Sequence, residues 1–347
     1  MVDGRGARLL VIPHDGPRVR GWHPLGGNWF YEIYASAVDR LGIDHVGYVD
    51  IPLGVGPEQW IASVFDEMRS QEATHVMFQM ERDPDKSDSW NWDAFVTLLR
   101  DSGNVTPVAV HYDLHFGWIQ EKLRRLHRLH PGLVSIGLAD PPIPAIAKDP
   151  QSVGPVTMPV SLATRARFAE IREAATRQDA ISFLGALYDE RVPLLNEIKQ
   201  QRLELLVNPH HETASVDYLG SRTNQPNYEN YLRGIASTDF TINFARSSSG
   251  DSVQYKTRVI ETALLGTFLI TDDTEWTPKL FSEDLVLCVD SFLDIPRALE
   301  DFRAKGSIEE RRKRLVIDGE KLATEHFWNE TDRALRASHR RGHLLPS

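Results

Sequence analysis

One cysteine, Cys288, stands among the 347 residues of the sequence. A single thiol excludes disulfide staples and cysteine-rich metal sites. It lies in the apolar run Leu285-Val286-Leu287-Cys288-Val289, which reads as a buried strand, so a core thiol is expected rather than a nucleophile. Long apolar stretches are missing as well. None approaches the roughly 18 residues that span a bilayer, and Met1 to Leu10 has no charged segment followed by an apolar one, so no membrane span and a cytoplasmic location are expected. Basic charge is also scarce. The formal net charge is −10, and no Lys/Arg cluster is interleaved with aromatics, which argues against nucleic acid as a partner. A local basic run, Arg311-Arg312-Lys313-Arg314, follows Glu309-Glu310 and reads as a solvated helix face.

What is present fits a globular α/β protein. Apolar residues make up 41% and charged residues 25%, while 20 prolines and 23 glycines imply many short connections. The length favours two domains over one. Short apolar runs alternate with amphipathic segments, the pattern of parallel strands joined by crossover helices. In the first half the runs Leu9 to Ile12, His45 to Val49, His75 to Phe78, Val108 to His111 and Leu133 to Ile136 read as strands. A helix is expected from Asn28 to Leu41, stopped by Gly42.

Between Asp140 and Val160 six prolines exclude a long helix or a central strand. The junction is placed there, giving domains 1–160 and 161–327. The second half repeats the alternation, with strands at Ile181 to Gly185, Leu203 to Val207, Phe240 to Phe244, Phe268 to Thr271 and Leu285 to Val289. The tail is helical by period. A break is expected at His326-Phe327-Trp328-Asn329, sending a last helix, 328–347, back to the first domain.

The richest stretch for chemistry is a helix expected from Gln254 to Leu265, after the loop Arg246-Ser247-Ser248-Ser249-Gly250-Asp251. Unpaired N–H groups and the positive dipole end at such a start favour an anion such as a pyrophosphate. Gly250 offers a close amide, Lys256 or Arg258 adds charge-assisted bonds, and Glu261 can accept from both hydroxyls of a ribose. The competing reading is a solvated helix face. Asp83-Pro84-Asp85 reads as a turn and Asp272-Asp273 as a strand-end ligand contact or cap, so no metal site is expected. In the first half, Gly26 and Gly27 let backbone approach a ligand just before a helix. His14 in the same loop, with His111 and Asp113 at the carboxyl end of the Val108 strand, are the candidate catalytic side chains, a general base toward an acceptor hydroxyl among them. The alternative for Asp113 is a cap. His210-His211 reads as surface.

The pattern Gln-x-Lys-x-Arg-Val-x-Glu-x-x-x-x-Gly-x-x-Leu-x-Thr-Asp, Gln254 to Asp272, resembles the spore-maturation CgeB-like glycosyltransferases, relatives of the large retaining GT-B family. Phe183-Leu184-Gly185 with Tyr188 and Arg191 matches too, as does Tyr231-Leu232 followed by Phe240-Thr241-Ile242-Asn243-Phe244, so the resemblance covers about Ile181 to Val289. It implies two Rossmann-like doubly wound parallel-sheet domains facing across a cleft. The implied activity is metal-independent transfer of a sugar from a nucleoside-diphosphate sugar, expected in its UDP or GDP form, to an acceptor hydroxyl or other nucleophile without a cofactor. The resemblance puts Glu261 on ribose, Lys256 and Arg258 near the diphosphate, Gly185 against the nucleotide, Arg191 on phosphate and Asp272 at the donor, with Gln254 among the nucleotide-sugar-binding residues. One departure is plain: Val253 stands where a donor-sugar glutamate is expected. Two other readings share the fold: a nucleotide-sugar 2-epimerase, and a non-catalytic sugar-nucleotide-binding protein.

Overall fold

The computed structural model describes residues 8–12, 29–49, 55–80, 91–112, 114–138, 141–144, 146–185, 187, 191–201, 203–207, 228–246 and 253–342. The chain divides into two compact units, residues 1–162 with 324–347 and residues 163–323. Each is built on one parallel sheet.

The first unit runs β1 (Leu9–Ile12), α1 (Trp29–Leu41), β2 (Val46–Tyr48), α2 (Pro57–Ser70), β3 (His75–Gln79), α3 (Trp92–Ser102), β4 (Thr106–His111), α4 (Gly117–Leu129), β5 (Val134–Gly137) and β6 (Ser152–Val153). Its six strands lie in the order β2-β1-β3-β4-β5-β6. Alternation along a strand sends successive side chains to opposite faces. Accordingly Leu10 and Ile12 join one core with Trp60, Val64, Phe95 and Leu123 of the helices on that side. Leu9 and Val11 join a second core with Ile33 and Ala37 of α1. Both faces are covered, which is why these strands read as unbroken apolar runs. Local signals set the helix ends: Pro57 opens α2, the Asn91 side chain caps α3 by accepting from the Ala94 amide at 3.1 Å, and Gly103 closes α3 at φ 69°.

The second unit runs α5 (Leu162–Ala174), β7 (Gln178–Phe183), α6 (Arg191–Gln200), β8 (Leu205–Val207), α7 (Tyr228–Ala236), β9 (Thr238–Asn243), α8 (Arg258–Leu265), β10 (Phe268–Thr271), β11 (Val286–Cys288) and α9 (Ile295–Ala304), and α10 (Ile308–Gly342) follows. The strand order is β11-β10-β9-β7-β8. Its core gathers Phe183, Phe240, Ile242, Phe268 and Ile270 from the sheet with Val259, Ala263, Leu299 and Phe302 from helices.

Three expectations are corrected. The break at residues 326–329 is absent: α10 continues through it to Gly342, because no residue there breaks a helix and the Thr331 hydroxyl donates to the Phe327 carbonyl one turn back. Phe327 and Trp328 are instead anchors, buried in the first unit's second core. The basic run is only half solvated. Arg311 and Arg312 are 3% and 8% exposed, the first with its guanidinium 4.0 Å from the Phe302 ring centroid and the second paired with Asp239 at 2.7 Å. The third correction, the start of α8, belongs to the site below.

The largely buried helix α8 is held at its C-terminus by three arginines. Arg172 donates to the Leu264 carbonyl at 2.7 Å, Arg177 to that of Leu265 and Arg312 to that of Gly266. Cations at a helix C-terminus satisfy its last carbonyls and oppose its dipole. Burial lowers the Arg177 pKa to about 10, as expected of a guanidinium that donates to the Thr238 and Leu265 carbonyls and the Thr267 hydroxyl. The long helix α10 crosses α8 at Gly319, where an added Cβ would stand 2.7 Å from the Ala263 Cβ and 3.1 Å from its carbonyl carbon. Alanine is favoured over glycine in a helix by about 1 kcal/mol, yet overpacking against backbone costs about 1–3 kcal/mol. Gly319→Ala is therefore expected to lower the melting temperature, and a rise would show that α8 yields freely.

Candidate functional site

In the second unit the chain enters at β7, steps outward to β8, then returns to the other side of β7 with β9. The β7/β9 seam is thus the point where the strand order reverses, and ligands of open α/β sheets bind outside the carboxyl ends of strands at such a point. Arg258, the first residue of α8, straddles that seam. Its guanidinium donates to the Ile242 carbonyl at 2.9 Å and to the Leu184 carbonyl, the former at the end of β9 and the latter just after β7. Its Nε donates to the Tyr231 hydroxyl at 3.2 Å, and its Cζ lies 5.7 Å from the Phe183 ring centroid. Gly185 makes the approach possible. At φ 151° the backbone favours glycine, and an added Cβ would stand 3.2 Å from the Arg258 Nη2 and press on it.

One turn along α8, Glu261 is only 4% exposed. Its Oε1 accepts the Tyr228 hydroxyl at 2.6 Å and its Oε2 the Tyr231 hydroxyl at 2.8 Å. Burial pushes its carboxyl above the ordinary range, and the two phenols and the Arg258 charge pull it back. Burial likewise raises the Tyr231 phenol. The tyrosines sit three apart on α7, stacked at 5.7 Å with planes 15° apart. Tyr228 was not among the residues singled out from sequence, although its i, i+3 spacing from Tyr231 was a signal that both share a helix face.

The segment expected to open the helix does something else. Arg246 and Val253 form an antiparallel bridge, and the Gln254 amide donates to the Ala245 carbonyl at 2.8 Å. This cross-loop pairing keeps residues 254–256 out of the helix, so α8 begins at Arg258 rather than Gln254. Gln254 and Lys256 precede the helix, where the Lys256 ammonium donates to the Gln254 side-chain carbonyl. Val253, where a donor-sugar glutamate was expected, is used as a bridge residue. Asp272 accepts the Ala245 amide at 2.6 Å and lies 3.8 Å from Arg246; burial raises its pKa against both. Asp273 is a cap, its carboxylate taking the amides of Glu275, Trp276 and Thr277 and the Thr277 hydroxyl. Arg191 opens α6 with its guanidinium 5.5 Å from the Phe244 ring centroid. Cys288 is half-buried, and burial raises its thiol pKa to about 12, so it is inert near neutrality.

His14, Gly26, Gly27, Asp83, Asp85, Asp113, Tyr188, His210, His211 and Gly250 lie outside the described residues. Among the described residues no group of three or more His, Cys, Asp or Glu side chains could hold a metal ion, and no helix is long and apolar enough to cross a membrane. His111 ends β4, but its ring is 1% exposed and neither nitrogen has a hydrogen-bond partner. Burial, then the nearby His127, lowers its pKa to about 3, and burial takes His127 to about 4. An imidazole of that basicity is a weak proton acceptor. It is, however, a stability element. Both rings are neutral when folded and protonate near 6.5 when unfolded, so the unfolded chain binds more protons at acid pH. Stability is full above about pH 6.5 and falls as pH drops toward about 4 and 3, by up to about 1.4 kcal/mol per pH unit per histidine. His111→Leu is expected to flatten that acid slope in denaturant titrations; an unchanged slope would remove His111 as a cause.

Two parallel-sheet α/β units match the GT-B class of fold, and residues 191–336 match the glycosyl transferase-like family model. That match spans less than half of the chain and contains Arg191, Gln254, Lys256, Arg258, Glu261 and Asp272. Among solved structures, the chain is similar to the sucrose-phosphate synthase of Thermosynechococcus elongatus, with a TM-score of 0.55 and 13% identity over 97% of this chain and 99% of that one. It is also similar to HepE of Anabaena in complex with UDP, at a TM-score of 0.49 and 10% identity over 97% and 100% of the two chains. A third is the UDP-GlcNAc 2-epimerase of Neisseria meningitidis bound to UDP-GlcNAc, at a TM-score of 0.49 and 8% identity over 96% and 100%. At 13% identity the likeness to the synthase speaks for the fold alone. No curated protein matches the chain.

Proposed function

We propose that this chain is a glycosyltransferase that takes a nucleoside-diphosphate sugar at the β7/β9 seam of its second unit. The observation that carries the reading is Arg258 spanning the carboxyl ends of both seam strands, with Glu261 one turn deeper on the same short helix. The family match over residues 191–336 supports it. Glu261 takes the ribose diol, and Arg191, Lys256 and the amides opening α8 take the diphosphate, with Gln254, Gly250 and Asp272 around it and Gly185 leaving room for the nucleotide. The acceptor is assigned to the first unit, with Asp113 as its general base and His14, Gly26 and Gly27 as further acceptor-side residues.

In the reaction the acceptor oxygen bonds to the anomeric carbon as the bond from that carbon to the diphosphate oxygen breaks. The acceptor proton passes to Asp113. Charge growing on the leaving diphosphate is met by the positive end of α8 and the basic side chains, in place of a metal ion. The test is to incubate the protein with UDP- and GDP-sugars and hydroxyl acceptors, with chelator present, and to follow both the nucleotide and the sugar. Transfer with release of one nucleoside diphosphate per glycoside is expected. An isomerised sugar without acceptor, or binding with neither transfer nor hydrolysis, would overturn it in favour of an epimerase or a binding protein.

A further inference from the structure

The geometry points to Tyr228 and Tyr231 as positioning residues that make the site selective for a ribonucleoside diphosphate over its 2′-deoxy counterpart; this rests on the ribose role of Glu261. A glutamate carboxyl rotates through a broad torsional well, so a lone carboxylate can meet a single sugar hydroxyl about as well as a vicinal pair. Glu261 has no such freedom. One phenol holds each of its oxygens, at 2.6 Å and 2.8 Å, and the two rings are stacked from one helix face. The Tyr231 hydroxyl accepts from the Arg258 Nε at 3.2 Å, so its own proton is committed to Glu261 Oε2. Arg258 in turn is fixed on the carbonyls of Leu184 and Ile242. The carboxylate plane is therefore locked to the seam through a continuous chain of bonds.

A carboxylate accepts at about four positions, and the phenols occupy two. The remaining two, one on each oxygen, are set at fixed spacing for two hydroxyls at once. A preorganised pair of acceptors rewards a 2′,3′-diol and is left half-unpaired by a 2′-deoxyribose, which is the arrangement that gives strong discrimination. Loss of one charged hydrogen bond corresponds to about 10- to 100-fold in affinity.

The test titrates UDP, GDP and their 2′-deoxy forms into the wild-type protein, Tyr228→Phe, Tyr231→Phe and Glu261→Gln, by calorimetry. The wild type is expected to favour the ribonucleotide it binds by at least about 10-fold, and each phenylalanine variant to lose most of that ratio. The ratio of two affinities on one preparation cancels the fraction folded, so a merely structural role for the rings leaves it unchanged. Wild-type indifference to the 2′-hydroxyl, or a ratio retained in both phenylalanine variants while Glu261→Gln loses it, overturns the inference. Glu261→Gln with wild-type affinity would instead overturn the ribose reading itself.

Discussion

Arg258→Ala is expected to destabilise the second unit by about 2–6 kcal/mol. The Leu184 and Ile242 carbonyls belong to residues with no exposed surface, and each loses its guanidinium donor. Loss of a hydrogen bond from a charged donor to a buried acceptor costs about 1.5–3 kcal/mol. The Tyr231 hydroxyl loses a donor, and Glu261 loses the favourable charge of Arg258. Arg258→Lys should recover little, since one ammonium on a flexible stem cannot reproduce a planar fork that reaches two strands and a phenol. Thermal or urea unfolding reads the effect directly. A lysine variant as stable as the wild type would show that the seam is held by strand pairing alone.

The second large effect is on ligand binding. Glu261→Ala is expected to weaken nucleoside-diphosphate affinity by about 10²-fold or more, because two hydroxyl-to-carboxylate bonds of about 1.5–3 kcal/mol each disappear. The same change leaves the Tyr228 and Tyr231 hydroxyls without their acceptor, so some stability goes with it. Melting and binding together separate the two losses. Affinity within a factor of two of wild type in a folded Glu261→Ala protein would contradict the site.

Much of the fold was legible because parallel strands covered on both faces read as short unbroken apolar runs between turn signals. Phe268 to Thr271 was bounded correctly from its apolar run alone, and the β9 run was found two residues late. What stayed hidden depends on partners distant in sequence. The start of α8 is displaced by the bond from the Gln254 amide to the Ala245 carbonyl, which no local periodicity announces. Arg311 and Arg312 looked like a solvated face because charge was judged without the Phe302 ring and Asp239 that receive them.

The candidate site shows the same division. The motif marked Arg258 and Glu261, whose placement follows from helix spacing. It could not show that Arg258 is occupied in binding the strand ends, nor that Glu261 is buried under two phenols, since the first depends on the β7/β9 reversal and the second on the packing of α7 against α8. His111 sits where its strand predicted, at the end of β4, yet its ring is interior, and only the packing of the helices around it could reveal that.

The most direct measurement is a crystal structure of the protein soaked with the nucleoside diphosphate, UDP or GDP, that most raises its melting temperature. The nucleotide is expected at the carboxyl ends of β7 and β9, with the 2′- and 3′-hydroxyls within about 3 Å of the Glu261 carboxylate and the diphosphate at the opening of α8. A nucleotide bound in the first unit, or in the second with its ribose away from Glu261, would contradict it.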